Sequence, residues 1–214
     1  MRSQTADKIL NDLRSRKTPY FVECLGFMIR VDKYVYPPRQ DSFFLADNLK
    51  DLRFGVRSGE RVLDYGVGSG ILSLVAASCG GNVLGVDINK SAVECARHNA
   101  IMNSLSHSVE IRHGCFDAIV DKEEFDVVAA NLPFENSTPR DLLEYSVYDP
   151  DFKMRRDLFD YIKGHLTLNG RIFFTYSERV QKIKPLENFA KGFKIQIIDR
   201  RIIDGEVYFI YLIK

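Results

Sequence analysis

The sequence predicts an α/β fold, a three-layer sandwich in which a mostly parallel seven-stranded sheet ends in an antiparallel hairpin. From Arg61 onward, short apolar runs alternate with amphipathic stretches, which is typical of parallel strands covered by helices on both faces. The chain then closes with two β-rich runs separated by Asp204-Gly205-Glu206, a strong hairpin signal. With 214 residues, of which 45% are hydrophobic, the chain is long enough to form one sizeable domain.

A short extension precedes this core. Residues 5–17 carry apolar side chains among charged ones at helical spacing and predict an amphipathic helix. Residues 20–35 alternate between apolar and polar side chains and predict a β-hairpin, after which Pro37-Pro38 interrupts regular structure. We therefore divide the chain into an extension, residues 1–40, and a main domain, residues 41–214.

Each element of the main domain follows from its local pattern. A helix capped by Asp41 or Ser42 runs to Leu52, with an inward face formed by Phe43, Phe44, Leu45 and Leu49. The predicted strands are Arg61–Tyr65, Asn82–Asp87, Val109–His113, Asp126–Asn131, Arg171–Tyr176, Phe193–Ile203 and Val207–Ile213. The predicted helices between them are Ile71–Cys79, Ser91–Met102, Phe152–His165 and a further one near Val180–Lys191.

Composition narrows the class of function. There are 30 basic and 29 acidic residues, so the chain lacks the basic excess typical of proteins that bind duplex nucleic acid. The four cysteines and four histidines are scattered without metal-ligand spacing, which indicates a reducing compartment and no metal site. No apolar run approaches the ~20 residues that span a bilayer, and the N-terminus is charged. We expect a cytoplasmic protein without membrane contact.

A glycine-rich loop marks the first candidate site. The segment DYGVGSG places Asp64, Gly66, Gly68 and Gly70 between a strand and a helix. Glycines there let the backbone turn sharply and approach a ligand, and the helix N-terminus offers free N–H groups. Asp87 ends the next strand, where a carboxylate can accept both hydroxyls of a ribose.

The loop favours S-adenosylmethionine over a dinucleotide. The dinucleotide fingerprint G-x-G-x-x-G requires glycine at the position of Ile71. An acid such as Asp64 before the first glycine suits a ligand with a positive amino group, whereas a pyrophosphate would be repelled. The competing interpretation is that the glycines only form a tight turn and that Asp87 only caps a helix.

The tetrapeptide Asn131-Leu132-Pro133-Phe134 follows the fourth strand of the main domain and should face the glycine loop. The Asn131 side-chain oxygen can accept one N–H of a planar nitrogen, and the Leu132 carbonyl can accept the other. Pro133 rigidifies the turn, and Phe134 offers a flat surface for stacking. This corner predicts methyl transfer to a planar nitrogen; the alternative is an ordinary strand-to-loop transition.

With these motifs in order, the chain resembles the class I S-adenosylmethionine-dependent methyltransferases, in particular the small-domain group of HemK/PrmC-type glutamine methyltransferases and related adenine-amine methyltransferases. The segment PPRQDS is similar to their proline-arginine-x-aspartate-threonine motif, DYGVGSG to their first motif, VDIN to their second, and NLPF to their N-P-P-Y corner. The resemblance covers about residues 35–176. It implies that Ser42, Asp64, Gly66 and Asp87 contact the cofactor and that Asn131 holds the target nitrogen.

Besides serine in place of threonine at Ser42, two departures from the family pattern bear on the candidate site. The family often has an acid after the third core strand that meets the adenine amine, where this chain has Cys115; either Asp117 takes that role or the backbone beside Phe116 holds the adenine. Leu132 and Phe134 replace proline and tyrosine, and Leu-Pro resembles some ribosomal RNA adenine methyltransferases. The candidate cofactor-binding residues are Ser42, Asp64, Gly66, Gly68, Gly70, Asp87, Ile88, Cys115, Phe116, Asp117 and Asn131. The candidate catalytic residues are Asn131, Leu132, Pro133 and Phe134.

The acceptor remains open between several classes. A protein glutamine amide leads, followed by an adenine amine in RNA or DNA and a small-metabolite nitrogen; a narrow slot, a wide basic trough and a lidded pocket would distinguish them. Alternatives of another class are a nicotinamide-dependent oxidoreductase and a non-catalytic cofactor-binding module. A partner subunit or a homodimer is not determined by the sequence. We interpret Tyr145, Tyr148, Phe152 and Phe159 as core residues, and Arg155-Arg156 as a solvated face.

Overall fold

The computed structural model describes residues 4–120 and 122–214, with side chains from residue 6 onward. The helices are α1 Gln4–Ser15, α2 Gln40–Leu49, α3 Ile71–Ser78, α4 Lys90–Met102, α5 Lys153–Ile162 and α6 Glu178–Ile183. The strands are β1 Tyr20–Cys24, β2 Phe27–Val31, β3 Arg61–Tyr65, β4 Asn82–Asp87, β5 Val109–His113, β6 Phe125–Ala130, β7 Leu166–Ser177, β8 Ile195–Ile203 and β9 Glu206–Ile213.

The main sheet has the order β5-β4-β3-β6-β7-β9-β8. Strands β5, β4, β3, β6 and β7 are parallel, and β9 runs antiparallel to both of its neighbours. Asp204 and Gly205 join β8 to β9 with φ angles of 50° and 80°, which a tight two-residue hairpin turn requires. The predicted fold class, a mostly parallel seven-stranded sheet closed by an antiparallel hairpin, is confirmed.

Two apolar cores lie on opposite faces of the sheet. One contains α2, α3 and α4, with buried residues such as Phe44, Leu74 and Val93. The other contains α5 and α6, with residues such as Phe159 and Val180. Continuous burial along the central strands explains why these read as unbroken apolar runs in the sequence.

The N-terminal extension shares the first of these cores. Ile29, Val31 and Val35 are buried in the same cluster as α2, α3 and α4. The side chain of Asn99 on α4 accepts a hydrogen bond from Arg30 N at 2.9 Å and donates to Arg30 O at 2.9 Å and to Ser69 O at 2.8 Å. One buried amide therefore joins the hairpin, α4 and the glycine loop.

Helix α2 differs from its prediction at both ends. It begins at Gln40, with Arg39 as the N-terminal flanking residue and no side-chain cap, and it ends at Leu49. The predicted capping by Asp41 or Ser42 is therefore wrong. Both side chains instead accept hydrogen bonds from Asn131, so a contact distant in sequence replaces the local cap.

Other boundaries also differ from their predictions, most clearly in α5, α6 and β7. Helix α5 begins only at Lys153, because Asp151 and Phe152 have left-handed φ angles of 51° and 54°. Helix α6 ends at Ile183, since Pro185 follows two residues later and cannot continue a helix. Strand β7 spans Leu166–Ser177 and begins earlier than predicted, because Leu166 pairs with Phe125 before a register shift leads to the pair of Val127 and Arg171.

Candidate active site

A cleft of about 1080 Å³ opens at the carboxyl ends of the parallel strands. The residues after β3, β4 and β6 all line it, as ligand sites in open α/β sheets require. Of the predicted site residues, the lining includes Ser42, Gly66, Gly68, Asp87, Ile88, Cys115, Asn131, Leu132, Pro133 and Phe134. The remaining ones, Asp64, Gly70, Phe116 and Asp117, lie outside that lining.

The glycine loop combines two kinds of glycine. Gly66 and Gly68 have φ angles of 81° and 53°, and the atoms nearest to an added Cβ would be 3.7 Å and 4.0 Å away. At Gly70, where φ is 87°, an added Cβ would lie 3.1 Å from Ala96 Cβ on α4. Gly66 and Gly68 therefore leave open space beside the cleft, whereas Gly70 allows α3 and α4 to pack closely.

Asp87 fixes the shape of this loop. Its Oδ2 accepts a hydrogen bond from Gly68 N at 2.9 Å, and its Oδ1 accepts one from Asn89 N at 2.8 Å. Burial raises the pKa of Asp87 above its ordinary value, while these two N–H donors oppose that shift. Because each carboxylate oxygen has a second lone pair, both remain able to accept a ligand hydroxyl.

Asp64 lies beneath the loop. Its side chain is 1% exposed, and its Oδ2 accepts a hydrogen bond from Ser73 Oγ at 2.6 Å. Its Oδ1 is buried without a hydrogen-bond partner among the described residues. Burial raises the pKa of Asp64 to about 7, so the carboxyl is partly protonated near neutral pH. The structure connects this acid to α3 and places it outside the cleft lining.

Asn131, directly after β6, carries a side-chain acceptor with no partner among the described residues. Its Nδ2 donates to Asp41 Oδ2 at 2.9 Å and to Ser42 Oγ at 3.3 Å. Its Oδ1 is buried and has no hydrogen-bond partner among the described residues. A carboxylate can only accept, so Asp41 holds the amide with nitrogen toward α2 and leaves the oxygen available. A buried acceptor left unsatisfied in this way costs free energy until a ligand N–H reaches it.

Arg155 supports the corner from below and was assigned wrongly from the sequence. Its guanidinium is fully buried, pairs with Asp149 Oδ2 at 2.6 Å and donates to the carbonyl of Pro133. Phe134 and Tyr176 lie within 5.9 Å and 5.4 Å of its charged carbon. Only its neighbour Arg156 is exposed. The signal was available, since position 155 falls on the buried face of α5.

Aromatic side chains complete the wall beside the corner. The ring of Phe134 contacts Tyr208 on β9 edge to face, with centroids 5.5 Å apart. Tyr148, Phe152 and Phe159 are buried, as interpreted from the sequence, but Tyr145 is 40% exposed and lines the cleft. The interpretation of Tyr145 as a core residue is therefore wrong.

The segment after β5 holds its side chains away from the cleft. Asp117 Oδ1 accepts a hydrogen bond from Cys115 N at 2.8 Å. Phe116 stacks between Tyr65 and Tyr161, with centroid distances of 4.9 Å and 4.4 Å. Only Cys115 of this group lines the cleft, and its Sγ lies 2.9 Å from the hydroxyl of Tyr65.

The cleft carries more negative than positive groups. Its acidic lining residues are Asp12, Asp41, Asp87, Glu135, Asp157, Asp204 and Glu206, and its basic ones are Lys8, Arg39, Lys153 and Arg179. Among the described residues, no three His, Cys, Asp or Glu side chains form a group that could hold a metal ion. Within the same part of the chain, no helix has the length and apolarity needed to cross a membrane.

Fold and cleft together define the class of protein. The family model for ribosomal protein L11 methyltransferase (PrmA) matches residues 46–134, a segment that includes the glycine loop, Asp87 and the Asn131 corner. The matched segment contains both Gly66 and Gly68, beside which space is open, and Asn131, whose Oδ1 has no partner among the described residues. The chain is a class I S-adenosylmethionine-dependent methyltransferase.

Relatives of this class resemble the chain over different lengths. A protein of Methanocaldococcus jannaschii, provisionally named protein N5-glutamine methyltransferase, is 28% identical over 199 residues, covering 84% of this chain and 91% of that protein. A ribosomal protein L11 methyltransferase of Burkholderia cenocepacia is 48% identical over 82 residues, covering 38% of this chain and only 26% of that protein. A crystal structure of the ribosomal protein L11 methylase of Lactobacillus delbrueckii subsp. bulgaricus superposes with a TM-score of 0.60, at 22% identity, covering 86% of this chain and 83% of that chain.

Proposed function

We propose that this methyltransferase modifies the side-chain amide nitrogen of a glutamine in a protein. The observation that carries the proposal concerns Asn131: the residue lines the cleft, and its buried side-chain oxygen Oδ1 has no hydrogen-bond partner among the described residues. An amide NH2 donates two hydrogen bonds, and an acceptor fixed at this position can hold one of them. The Methanocaldococcus jannaschii relative, matched over most of both chains, bears a name of the same activity.

The donor supplies an electrophilic methyl group, so the protein mainly has to position the acceptor. In the proposed reaction the amide nitrogen would form a bond to the methyl carbon as the carbon–sulfur bond breaks, S-adenosylhomocysteine would leave as the neutral thioether, and one N–H proton would pass to solvent water. Asn131 Oδ1 accepts an N–H of the target, and the Leu132 carbonyl accepts the other. Two acceptors on an NH2 group stabilise the positive charge that develops on nitrogen, and orientation alone can supply several kcal/mol.

The rigidity of the corner supports this role. Asp41 and Ser42 hold the nitrogen of Asn131, and Arg155 holds the carbonyl of Pro133, so the acceptor side chains are fixed before the substrate arrives. Phe134 is braced by Tyr208 and lines the cleft with a flat face for a planar amide.

We further propose that Gly66, Gly68, Asp87 and Ile88 hold the cofactor. Gly66 and Gly68 leave room for close approach of a ligand, and Asp87 has free lone pairs for the ribose hydroxyls. Asp64 supports the loop from beneath through Ser73 and α3. Cys115 lines the cleft at the position where the family often has an acid that meets the adenine, so we assign it to the adenine end of the proposed cofactor site.

The acidic lining argues against a nucleic-acid acceptor. An adenine amine would need the same two hydrogen-bond acceptors and the same flat ring, so the corner alone does not distinguish it from a glutamine amide. A chain of phosphates, however, would meet more carboxylates than basic groups in this cleft. A polypeptide has no such repulsion.

The test identifies the methylated product by the labelled compound that acid hydrolysis releases from it. The enzyme is incubated with S-adenosylmethionine labelled on its methyl group and with a protein or RNA extract from source cells lacking its gene. Acid hydrolysis cleaves an N-methyl amide and releases labelled methylamine, so we expect labelled methylamine from the protein fraction. Label recovered as N-methyladenine from RNA would overturn the glutamine proposal.

A matched pair of variants tests the role of Asn131. Asn131→Ala removes the proposed acceptor, so we expect incorporation to fall at least about 100-fold while the affinity for S-adenosylhomocysteine is retained. The control is Asn136→Ala, five residues further along the same segment, exposed and outside the cleft lining. Unchanged incorporation in Asn131→Ala would refute the assigned role.

A further inference from the structure

Tyr34 occupies an unusual position at the mouth of the cleft. It follows β2, lines the cleft and is 43% exposed. Its φ angle is 65°, in the left-handed region that side-chain-bearing residues rarely adopt. Such a conformation is strained and persists only where the surroundings fix it.

Hydrogen bonds through Asn89 connect the backbone of Tyr34 to Asp87, the proposed ribose-binding residue. Asn89 donates from Nδ2 to the carbonyl of Tyr34 at 2.8 Å, while its own backbone N–H donates to Asp87 Oδ1 at 2.8 Å. Asn89 also caps α4, since its side-chain oxygen accepts from Ser91 N at 3.0 Å. One buried asparagine therefore couples the backbone of Tyr34 to Asp87.

Ile88 lies between Asp87 and Asn89 in the chain. It lines the cleft and is 42% exposed, so its apolar side chain faces open space. Tyr34 and Ile88 thus offer two apolar surfaces at the same end of the cleft, at residues linked through Asn89. A flat, partly apolar ligand group is the chemistry that such a pair accommodates.

The hairpin that carries Tyr34 is held in place by side chains that bind its backbone. Asn99 bonds both the N–H and the carbonyl of Arg30, and it also bonds Ser69 in the glycine loop. Asn103 bonds both the N–H and the carbonyl of Met28. The position of Tyr34 is therefore fixed relative to the glycine loop rather than left to a freely moving extension.

We propose that Tyr34 is a cofactor-binding residue whose ring covers the nucleoside half of S-adenosylmethionine opposite Ile88. The inference rests on the proposed placement of the ribose beside Asp87. It assigns the N-terminal hairpin a direct part in the cofactor site, in addition to its packing on α4. Stacking of an aromatic ring on a base contributes enough to change affinity about 10- to 100-fold.

The test measures binding and does not depend on turnover. Calorimetric titration with S-adenosylhomocysteine and with adenosine should show that Tyr34→Ala weakens both ligands by the same factor, about 10- to 100-fold, because the contact is with the nucleoside. Tyr34→Phe keeps the ring and should bind within about twofold of the wild type. Phe21→Ala is the matched control, because Phe21 is 57% exposed on the same hairpin and lies outside the cleft lining.

A glycine variant separates a binding role from a structural one. Tyr34→Gly removes the ring and also suits the positive φ, so the unliganded protein should be no less heat-stable than the wild type. If it still binds both ligands with wild-type affinity, the proposal is overturned. Equal losses in Tyr34→Phe and Tyr34→Ala would also overturn it, since the ring would then not be the contact.

Asp87→Ala distinguishes this inference from the placement on which it rests. Loss of binding in Asp87→Ala together with wild-type binding in Tyr34→Ala would reject the role of Tyr34 alone. Wild-type binding in both variants would reject the proposed position of the nucleoside itself. Loss in both, with Phe21→Ala unchanged, is the expected result.

Discussion

The side-chain nitrogen of Asn131 donates a hydrogen bond to the carboxylate of Asp41 over 2.9 Å, and this contact determines which way the amide faces. Asp41 lies in the first turn of α2, whereas Asn131 follows β6, 90 positions further along the chain. An ionised carboxylate accepts hydrogen bonds and donates none, so the amide nitrogen of Asn131 faces Asp41 and the amide oxygen is directed away from it. The orientation of the proposed acceptor group is therefore set by a residue that does not itself need to touch the substrate.

We expect Asp41→Asn to reduce methyl transfer about 10- to 100-fold, because an asparagine at this position can accept or donate and no longer imposes one orientation on Asn131. Affinity for S-adenosylhomocysteine, measured by calorimetry, should stay within about twofold. Asp47→Asn is the control on the same helix, since the exposed side chain of Asp47 pairs with Arg201 at the surface. Full activity of Asp41→Asn would show that the amide is oriented by other contacts.

The buried pair of Arg155 and Asp149 predicts a large loss of stability. Arg155→Met leaves the Asp149 carboxylate buried without its partner, so we expect the free energy of unfolding to fall by about 3–5 kcal/mol in urea titrations. The double variant Arg155→Met with Asp149→Asn should recover part of this loss, because no unpaired charge remains. Arg156→Met, at the exposed neighbour, should stay within about 0.5 kcal/mol of the wild type.

Asp64 predicts a specific dependence of stability on pH. Its pKa is raised from 3.8 to about 7 by burial, so the folded state binds this proton more tightly than the unfolded state. The associated stability is complete below about pH 4 and is lost as the pH rises through 7, on the order of 2–4 kcal/mol in total.

Urea midpoints of the wild type and Asp64→Asn, compared from pH 4 to pH 8, measure this contribution. The other acids titrate in both proteins, so the difference between the two curves isolates Asp64. We expect the wild type to lose stability relative to the variant as the pH rises. A constant difference across that range would contradict the raised pKa.

Two glycines of the same loop should respond differently to substitution. Gly70→Ala places a methyl group 3.1 Å from Ala96 at a positive φ, so we expect a loss of about 1–3 kcal/mol in the stability of the unliganded protein. Gly68→Ala shares the strain of a positive φ but meets no neighbouring atom closer than 4.0 Å, so we expect a smaller loss of stability than in Gly70→Ala and, in addition, a roughly tenfold loss of affinity for S-adenosylhomocysteine. Thermal unfolding with and without that ligand separates the two effects. Equal ligand-induced shifts in Gly68→Ala and wild type would contradict this assignment.

Local patterns were sufficient for much of the fold. The bounds of β3, β4 and β5 match their predictions residue for residue, because β3 and β4 are short, mostly apolar runs, β5 alternates apolar with polar side chains, and each strand ends at or before a turn residue. The closing hairpin was equally clear, since Asp204-Gly205 has the composition that a tight turn of two positive φ angles needs. The order of the glycine loop, Asp87 and the Asn131 corner likewise predicted a single site at the carboxyl edge of the sheet.

The surroundings of individual polar groups depended on contacts that no local pattern records. Asp41 and Ser42 are residue types that often cap helices, yet their side chains bind Asn131. Arginine is usually a surface residue, yet Arg155 lies buried against Asp149. The sequence by itself determined the elements, their order and the motif-bearing loops, because these follow from hydrophobic periodicity and from backbone freedom at glycine. Only the tertiary structure decided which polar atoms are paired and which, like Asn131 Oδ1, have no partner among the described residues. Hydrogen-bond partners are chosen among residues distant in the chain, and burial makes each of those choices energetically decisive.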